Sequence, residues 1–70
     1  MDMKDYPDIR TVDVTVWADS VMEADLSALL PKFGTPQFAN SQFFLTQRNY
    51  TVIEEGIFKV TCVYRKAEVL

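Results

Sequence analysis

The side chains best suited to acid–base chemistry are three carboxylates close together in the chain, Asp19, Glu23 and Asp25. Paired carboxylates act as general acid and base when a concave, desolvated setting moves their pKa values apart. A chain of 70 residues leaves little interior for such a pocket. Acidic residues also have a structural role at the start of a helix, where they interact favourably with the helix dipole. We assign these three carboxylates to that role.

The sequence lacks the residue types that other common catalytic and ligand-binding sites require. The chain has no histidine, so neither a Ser-His-Asp nor a Cys-His arrangement can form within it. A structural zinc site needs several Cys and His ligands, and only one cysteine is present. The two glycines, Gly34 and Gly56, do not make a phosphate-binding loop. The sequence predicts a protein that is not an enzyme and uses no cofactor or metal.

The single cysteine, Cys62, alternates with Val60 and Tyr64 on one face of a predicted strand. A buried free cysteine behaves as a small hydrophobe, whereas a reactive thiolate needs exposure and a nearby cation. We predict that Cys62 lies in the core. An unpaired cysteine, an N-terminus without an apolar signal segment and the absence of long apolar runs predict a cytoplasmic protein without a membrane span.

The net charge of −3 is unevenly distributed. Residues 1–25 contain seven acidic and two basic side chains, whereas residues 26–70 contain three acidic and five basic ones. The basic surface typical of nucleic-acid-binding domains is missing, which argues against direct nucleic-acid binding. An acidic N-terminal half favours a positively charged partner.

The elements that position these residues follow from hydrophobic periodicity. Residues 1–8 are polar and acidic and predict a flexible arm, and residues 9–70 form one domain. Residues 11–17 alternate strictly, which predicts a strand with three valines on one face and with Asp13 and Trp17 on the other.

A helix is predicted over residues 20–30. Ser20 and Glu23 match a capping box. Apolar side chains then recur at spacings of three and four, at Met22, Leu26, Leu29, Leu30 and Phe33. Pro31 should end the regular helix, because proline disfavours a helical residue before it.

Strand patterns return from Gln42 onward, and Glu55-Gly56 predicts a turn before a last strand over 57–65. If Arg48-Asn49 is also a turn, the sheet has four strands instead of three. We therefore predict an α+β fold with a three- or four-stranded antiparallel sheet and one helix on one face, in the order β-α-β-β. A chain this small without disulfide or metal is predicted to be a homodimer.

The predicted partner-binding surface centres on Trp17. Two placements are open: Trp17 lies on the uncovered sheet face, or it folds over the helix start into the core. In the first case it is a typical binding hot spot. The predicted set of partner-binding residues is Trp17, Asp13, Asp19, Glu23, Asp25, Ile57 and Val63.

These features favour a protein–protein interaction module of the phage or mobile-element type that inhibits or modulates a partner. In architecture and charge alone the chain is similar to DNA-mimicking inhibitors, for example the small phage inhibitors of uracil-DNA glycosylase. That similarity implies a partner with a basic, nucleic-acid-binding surface. The alternative is a structural subunit of a larger assembly, such as a virion component. A weaker alternative is a single-stranded nucleic-acid-binding module that uses Phe43, Tyr50 and Phe58 for stacking.

Overall fold

The fold is one antiparallel sheet with a short helix, seen in a computed structural model that describes residues 8–67. In chain order the elements are β1 (Ile9–Trp17), α1 (Val21–Asp25), β2 (Phe43–Glu54) and β3 (Ile57–Lys66). The strands lie in the order β1-β3-β2, which confirms the predicted α+β class. Apart from Asp8, the arm predicted over residues 1–8 lies outside the described residues.

The central strand is β3, and the register of its pairing places the apolar rows on one face. Val14 lies opposite Val60, and Val60 lies opposite Tyr50 on the other flank. Directly opposed residues share a face of an antiparallel sheet. The valines of β1 therefore share a face with the alternating apolar residues of β3, as their periodicity predicts.

The core lies on that face, beneath the connection between β1 and β2. Its buried side chains are Val16, Ala24, Leu30, Leu45, Phe58, Val60, Cys62 and Tyr64. Cys62 has no exposed surface, which confirms its predicted place in the core. Most of these residues come from the sheet, since α1 and the loop after it contribute only Ala24 and Leu30.

The helix is much shorter than predicted. It ends at Asp25, with Leu26 as its C-cap, instead of continuing to residue 30. The Ser27 hydroxyl accepts a hydrogen bond from the Leu29 N–H at 3.2 Å, and the Leu30 N–H bonds to the Ser27 carbonyl at 3.3 Å. Serine thereby offers the backbone an alternative to helical hydrogen bonding.

The predicted apolar stripe is consequently not a buried helix face. Only Leu30 of that stripe is buried; the exposed members are Met22, Leu26, Leu29 and Phe33. The predicted capping box at the start of α1 is confirmed in its Ser20 half, since Ser20 Oγ accepts from the Glu23 N–H. The other half differs, because Glu23 Oε2 accepts from the Asp19 N–H and not from the Ser20 N–H.

The second strand is continuous, so Arg48-Asn49 is not a turn. Arg48 pairs with Cys62 and Asn49 pairs with Thr61, and the described residues contain no fourth strand. Register shifts leave Thr46 and Ile53 without a partner on β3, which is the signature of β-bulges.

The turn predicted at Glu55-Gly56 is confirmed, because only these two residues separate β2 from β3. Gly56 has φ +79, a value that residues with a Cβ rarely adopt.

The two outer edges of the sheet differ. The start of β2 is covered by the loop before it, through an isolated bridge between Pro36 and Phe44 and a bond from the Leu45 N–H to the Thr35 carbonyl at 2.9 Å. Within residues 8–67, no backbone hydrogen bond reaches the outer edge of β1. Among the described residues, the outer edge of β2 is therefore partly covered, whereas the outer edge of β1 is uncovered.

Candidate protein-interaction surface

Trp17 is the last residue of β1, and it is 74% exposed. Its side chain lies on the sheet face opposite the valines and away from the core. Of the two placements that the sequence left open, the structure shows the exposed one. A large exposed aromatic side chain at the end of a strand is a typical anchor for a partner.

The β2–β3 turn lies beside Trp17. Trp17 pairs with Ile57, and Ile57 pairs with Glu54. Because neighbouring strands are about 4.8 Å apart, these three residues form one short row across the end of the sheet. The Ala18 N–H donates to the Gly56 carbonyl at 3.1 Å, which holds the chain after Trp17 against the turn.

We call this end of the molecule the hairpin-tip surface. It consists of Trp17, Asp19, Ile53, Glu54, Glu55 and Ile57. Ile53 is 54% exposed because the bulge removes it from the regular ladder. Three exposed carboxylates thus lie at the same end of the sheet as an exposed indole. The next residue of β3 on the same face as Ile57 is the basic Lys59, which pairs with Thr15.

Two of the predicted acidic residues are held by hydrogen bonds within the fold. Asp13 lies in the middle of β1, where its Oδ1 accepts a hydrogen bond from Thr61 Oγ1 at 2.9 Å. Glu23 caps α1 through the Asp19 N–H at 2.8 Å. Asp19 follows Trp17 by two residues, and the Glu23 carboxylate lies against the Asp19 N–H, so these are the two predicted acids at this end of β1.

Asp25 anchors the end of α1 to β2. Its Oδ1 accepts from Arg48 Nη2 at 3.0 Å, and the Tyr50 hydroxyl donates to the same oxygen. The Arg48 side chain is only 11% exposed, and its guanidinium carbon lies 4.4 Å from the centre of the Phe33 ring. Burial, followed by the hydrogen bond to Asp25, raises the pKa of Tyr50 above its ordinary value. Asp25 therefore has a structural role, because it connects the end of α1 to β2.

Val63 was predicted to contact a partner, but its side chain is not exposed. It is fully buried, and it pairs with Thr11 near the other end of β1. Six residues of extended chain, roughly 20 Å, separate it from Ile57. Only Ile57 of this pair belongs to the hairpin-tip surface.

Sequence reasoning missed Ile53, Glu54 and Glu55. The available signal was the turn itself: two glutamates directly before Gly56 place two charges at the tip of the hairpin. What the sequence did not reveal was that β1 ends beside this turn, because that depends on the pairing of β1 with β3.

A second apolar area lies around the connection after α1. A shallow groove of about 440 Å³ is lined there by Leu26, Leu30 and Phe33, with Arg48 and Asp25 beside them. Leu26 is 78% exposed and Phe33 is 56% exposed. This area is separate from the row formed by Trp17 and Ile57.

The three aromatic residues considered for base stacking do not form an exposed row. Phe58 is buried, and Phe43 and Tyr50 pack against the core. The Phe43 ring is also covered by Arg10, whose guanidinium carbon lies 4.5 Å from the ring centre.

The chain matches no family model, no curated protein and no solved structure. In the described part of the chain, no helix has the length and apolar character that crossing a membrane requires. Residues 8–67 also contain no group of three or more Cys, Asp or Glu side chains arranged to hold a metal ion.

Proposed function

We propose that the protein is a non-enzymatic protein-interaction module that inhibits or modulates a partner protein by covering a basic surface on it. The observation that carries this proposal is the exposure of Trp17 beside the β2–β3 turn. A buried indole would have indicated a purely structural role. An indole that is 74% exposed on a 70-residue chain is apolar surface that a partner would remove from water.

The chemistry of the partner follows from the charges around this anchor. Asp19, Glu54 and Glu55 are exposed at the same end of the sheet. Complementary charges speed association and select against wrong partners, while a buried aromatic anchor slows dissociation. A partner with a basic patch around an apolar pocket fits both features. Where that patch normally binds nucleic acid, the module competes with the nucleic acid as a DNA mimic.

Self-association is part of the proposal. Many apolar side chains are exposed in the single chain, among them Met22, Leu26, Leu29 and Phe38. Small domains without a disulfide or metal commonly gain stability from a second copy. We therefore include a homodimer as the active form and cytoplasm as its location.

The test is affinity capture from the native host with matched baits. We expect the parent chain to retain one partner that Trp17→Ala loses through faster dissociation. Phe38→Ala is the control, because it removes another exposed aromatic side chain far from the tip in sequence. Both variants are first checked for the parent's circular dichroism. Equal recovery of the same partner by Trp17→Ala and Phe38→Ala would contradict the proposed surface.

A second experiment tests the charges. Replacing Asp19 and Glu54 by Lys should slow association with the captured partner, and the effect should shrink at high salt because exposed charges are screened. Surface plasmon resonance separates the two rate constants. An unchanged association rate at low salt would argue against a basic partner surface.

The alternative function, a structural subunit of a larger assembly, is favoured by one observation. The outer edge of β1 lacks a backbone partner within residues 8–67, and open edges are completed by neighbouring chains in assemblies. In that case the captured partner would be a coat or scaffold protein, and Trp17→Ala would not release it.

A further inference from the structure

We propose that the outer edge of β1 pairs with β1 of a second copy of this chain, antiparallel and centred on Val14. The result is a continuous six-stranded sheet across a twofold axis. This inference rests on the self-association included in the proposed function, and it adds the interface, the orientation and the register.

The backbone of β1 determines which residues face the open edge. The Ala18 N–H bonds to Gly56 on β3, and the Lys66 N–H bonds to the Asp8 carbonyl. Hydrogen-bonded and non-hydrogen-bonded pairs alternate along an antiparallel ladder. The even-numbered residues of β1 therefore direct their backbone groups toward β3. The odd-numbered ones direct theirs outward: Ile9, Thr11, Asp13, Thr15 and Trp17.

In the described part of the chain, the outer edge of β1 is less protected against strand pairing than the outer edge of β2, although β1 carries the charged residues Arg10 and Asp13. Edges are commonly blunted by proline, bulges, lysine or a covering loop. β2 has two bulges and a covering loop around Pro36. β1 has a regular register over nine residues, without proline, lysine or a bulge. The contrast between the two edges singles out β1 as the one that pairs.

Symmetry and charge identify the occupant as a second copy. Along the sheet, the end beside Trp17 is acidic, with Asp19, Glu54 and Glu55. The opposite end carries Arg10, Arg65 and Lys66 together with one described acid, Asp8, so it is basic in balance. Antiparallel pairing about a twofold axis places the acidic end of each copy beside the basic end of the other.

The register follows from the side chains. A centre at Asp13 would oppose two aspartates, which is unfavourable. A centre at Val12 would place Arg10 opposite Val14. A centre at Val14 places Val12 opposite Val16 and Thr15 opposite Asp13.

The Val14 register also completes the backbone pairing and places Arg10 close in sequence register to an acidic residue of the other copy. It brings Arg10 opposite Ala18, next to Asp19 of the other copy. It forms about eight backbone hydrogen bonds from the outward-facing residues.

Disulfide trapping tests the register. In a non-hydrogen-bonded antiparallel pair the Cα atoms are about 4.5 Å apart, which a disulfide can span. Val14→Cys should therefore oxidise to a covalent dimer of twice 8.1 kDa. Val12→Cys should cross-link much less. Thr51→Cys, an exposed site on β2, is the control and should stay monomeric on a denaturing gel. Cys62 can remain, since it is fully buried.

A proline variant tests the edge independently. The Thr15 N–H points outward, so Thr15→Pro removes a donor from the proposed interface but none from the β1–β3 ladder. We expect light scattering at micromolar concentration to show a dimer for the parent and a folded monomer for Thr15→Pro. Thr15→Asp, which places a carboxylate directly opposite Asp13 of the other copy, should also weaken the dimer if the proline variant does not fold.

Each contrary result has a distinct meaning. A monomeric parent would overturn both this interface and the proposed homodimer. A parent dimer that survives Thr15→Pro and Thr15→Asp, with no cross-link at Val14, would overturn the edge and leave the homodimer standing. Stronger cross-linking at Val12 than at Val14 would overturn the register.

Discussion

The position of Cys62 in the sheet explains why its thiol is buried. It lies in the middle of the central strand, paired with Val12 on one side and Arg48 on the other, and it has no exposed surface. Burial raises the pKa of its thiol above the ordinary value. The side chain therefore acts as a small apolar group and not as a nucleophile.

Replacing Cys62 by Ala should lower the free energy of unfolding by about 1–3 kcal/mol, because it leaves a small cavity. Cys62→Ser should cost more, since it adds a buried hydroxyl. Urea denaturation measures both effects, and partner binding should persist in each folded variant. Thiol-reagent labelling of the native protein at the rate of a free peptide thiol would show that Cys62 is accessible, contrary to this interpretation.

At the scale of the elements, α1 depends on its cap. A helix of five residues is too short to be stable by itself, so local hydrogen bonds matter. Ser20→Ala should cost about 1 kcal/mol of stability, because it leaves the Glu23 N–H without its side-chain acceptor. Ser20→Thr keeps a side-chain hydroxyl that can cap the helix, and it serves as the control. Equal urea midpoints for the two variants would show that the cap does not stabilise α1.

The start of this helix could be predicted from the sequence, but its end could not. The strands follow from alternation, the turn from Gly56, and the helix start from Ser20 and Glu23. The helix end was wrong because the spacing of Leu26, Leu29 and Phe33 describes a stripe only if the backbone stays helical. Ser27 bonds to its own loop, and Asp25 is held by Arg48, a residue 23 positions away. Contacts between residues so far apart in sequence cannot be predicted from the local hydrophobic pattern.

The candidate site, like the helix, could be predicted from the sequence only in part. Trp17 and Asp19 could be identified from residue type and position. Glu54 joins them only through the pairing of β1 with β3 and of β3 with β2. Val63 was misplaced because alternation predicts a face but does not show whether that face is covered. Site residues that depend on long-range register were therefore the ones that sequence reasoning missed.

For the whole molecule, three buried or half-buried groups predict a loss of stability at alkaline pH. Burial is the largest cause that raises the pKa of Cys62, Tyr50 and Tyr64 above their ordinary values of 9.0, 10.0 and 10.0. A raised folded-state pKa means that the unfolded chain loses these protons first. The corresponding stability is complete below the ordinary pKa values and is lost as the pH rises through the folded-state values.

Urea denaturation at pH 7, 9 and 10.5 should show this decline. Cys62→Ala should begin to lose stability at a higher pH than the parent, because only the tyrosines then remain. A parent whose free energy of unfolding stays constant up to pH 10.5 would contradict the assignment.

The central position of β3 also has a consequence for how the chain acquires its structure during synthesis. β1 and β2 are not hydrogen-bonded to each other in the sheet, and the strand that pairs with both is β3, which is made last of the three. Trp17 meets Ile57 and Ile9 meets Arg65, so the β1 contacts are distant in sequence and slow to form. During synthesis on the ribosome, β1 therefore remains unpaired until β3 has emerged. A chain cut short before Ile57 would have no sheet at all, whereas a chain lacking β1 would still contain the β2–β3 hairpin.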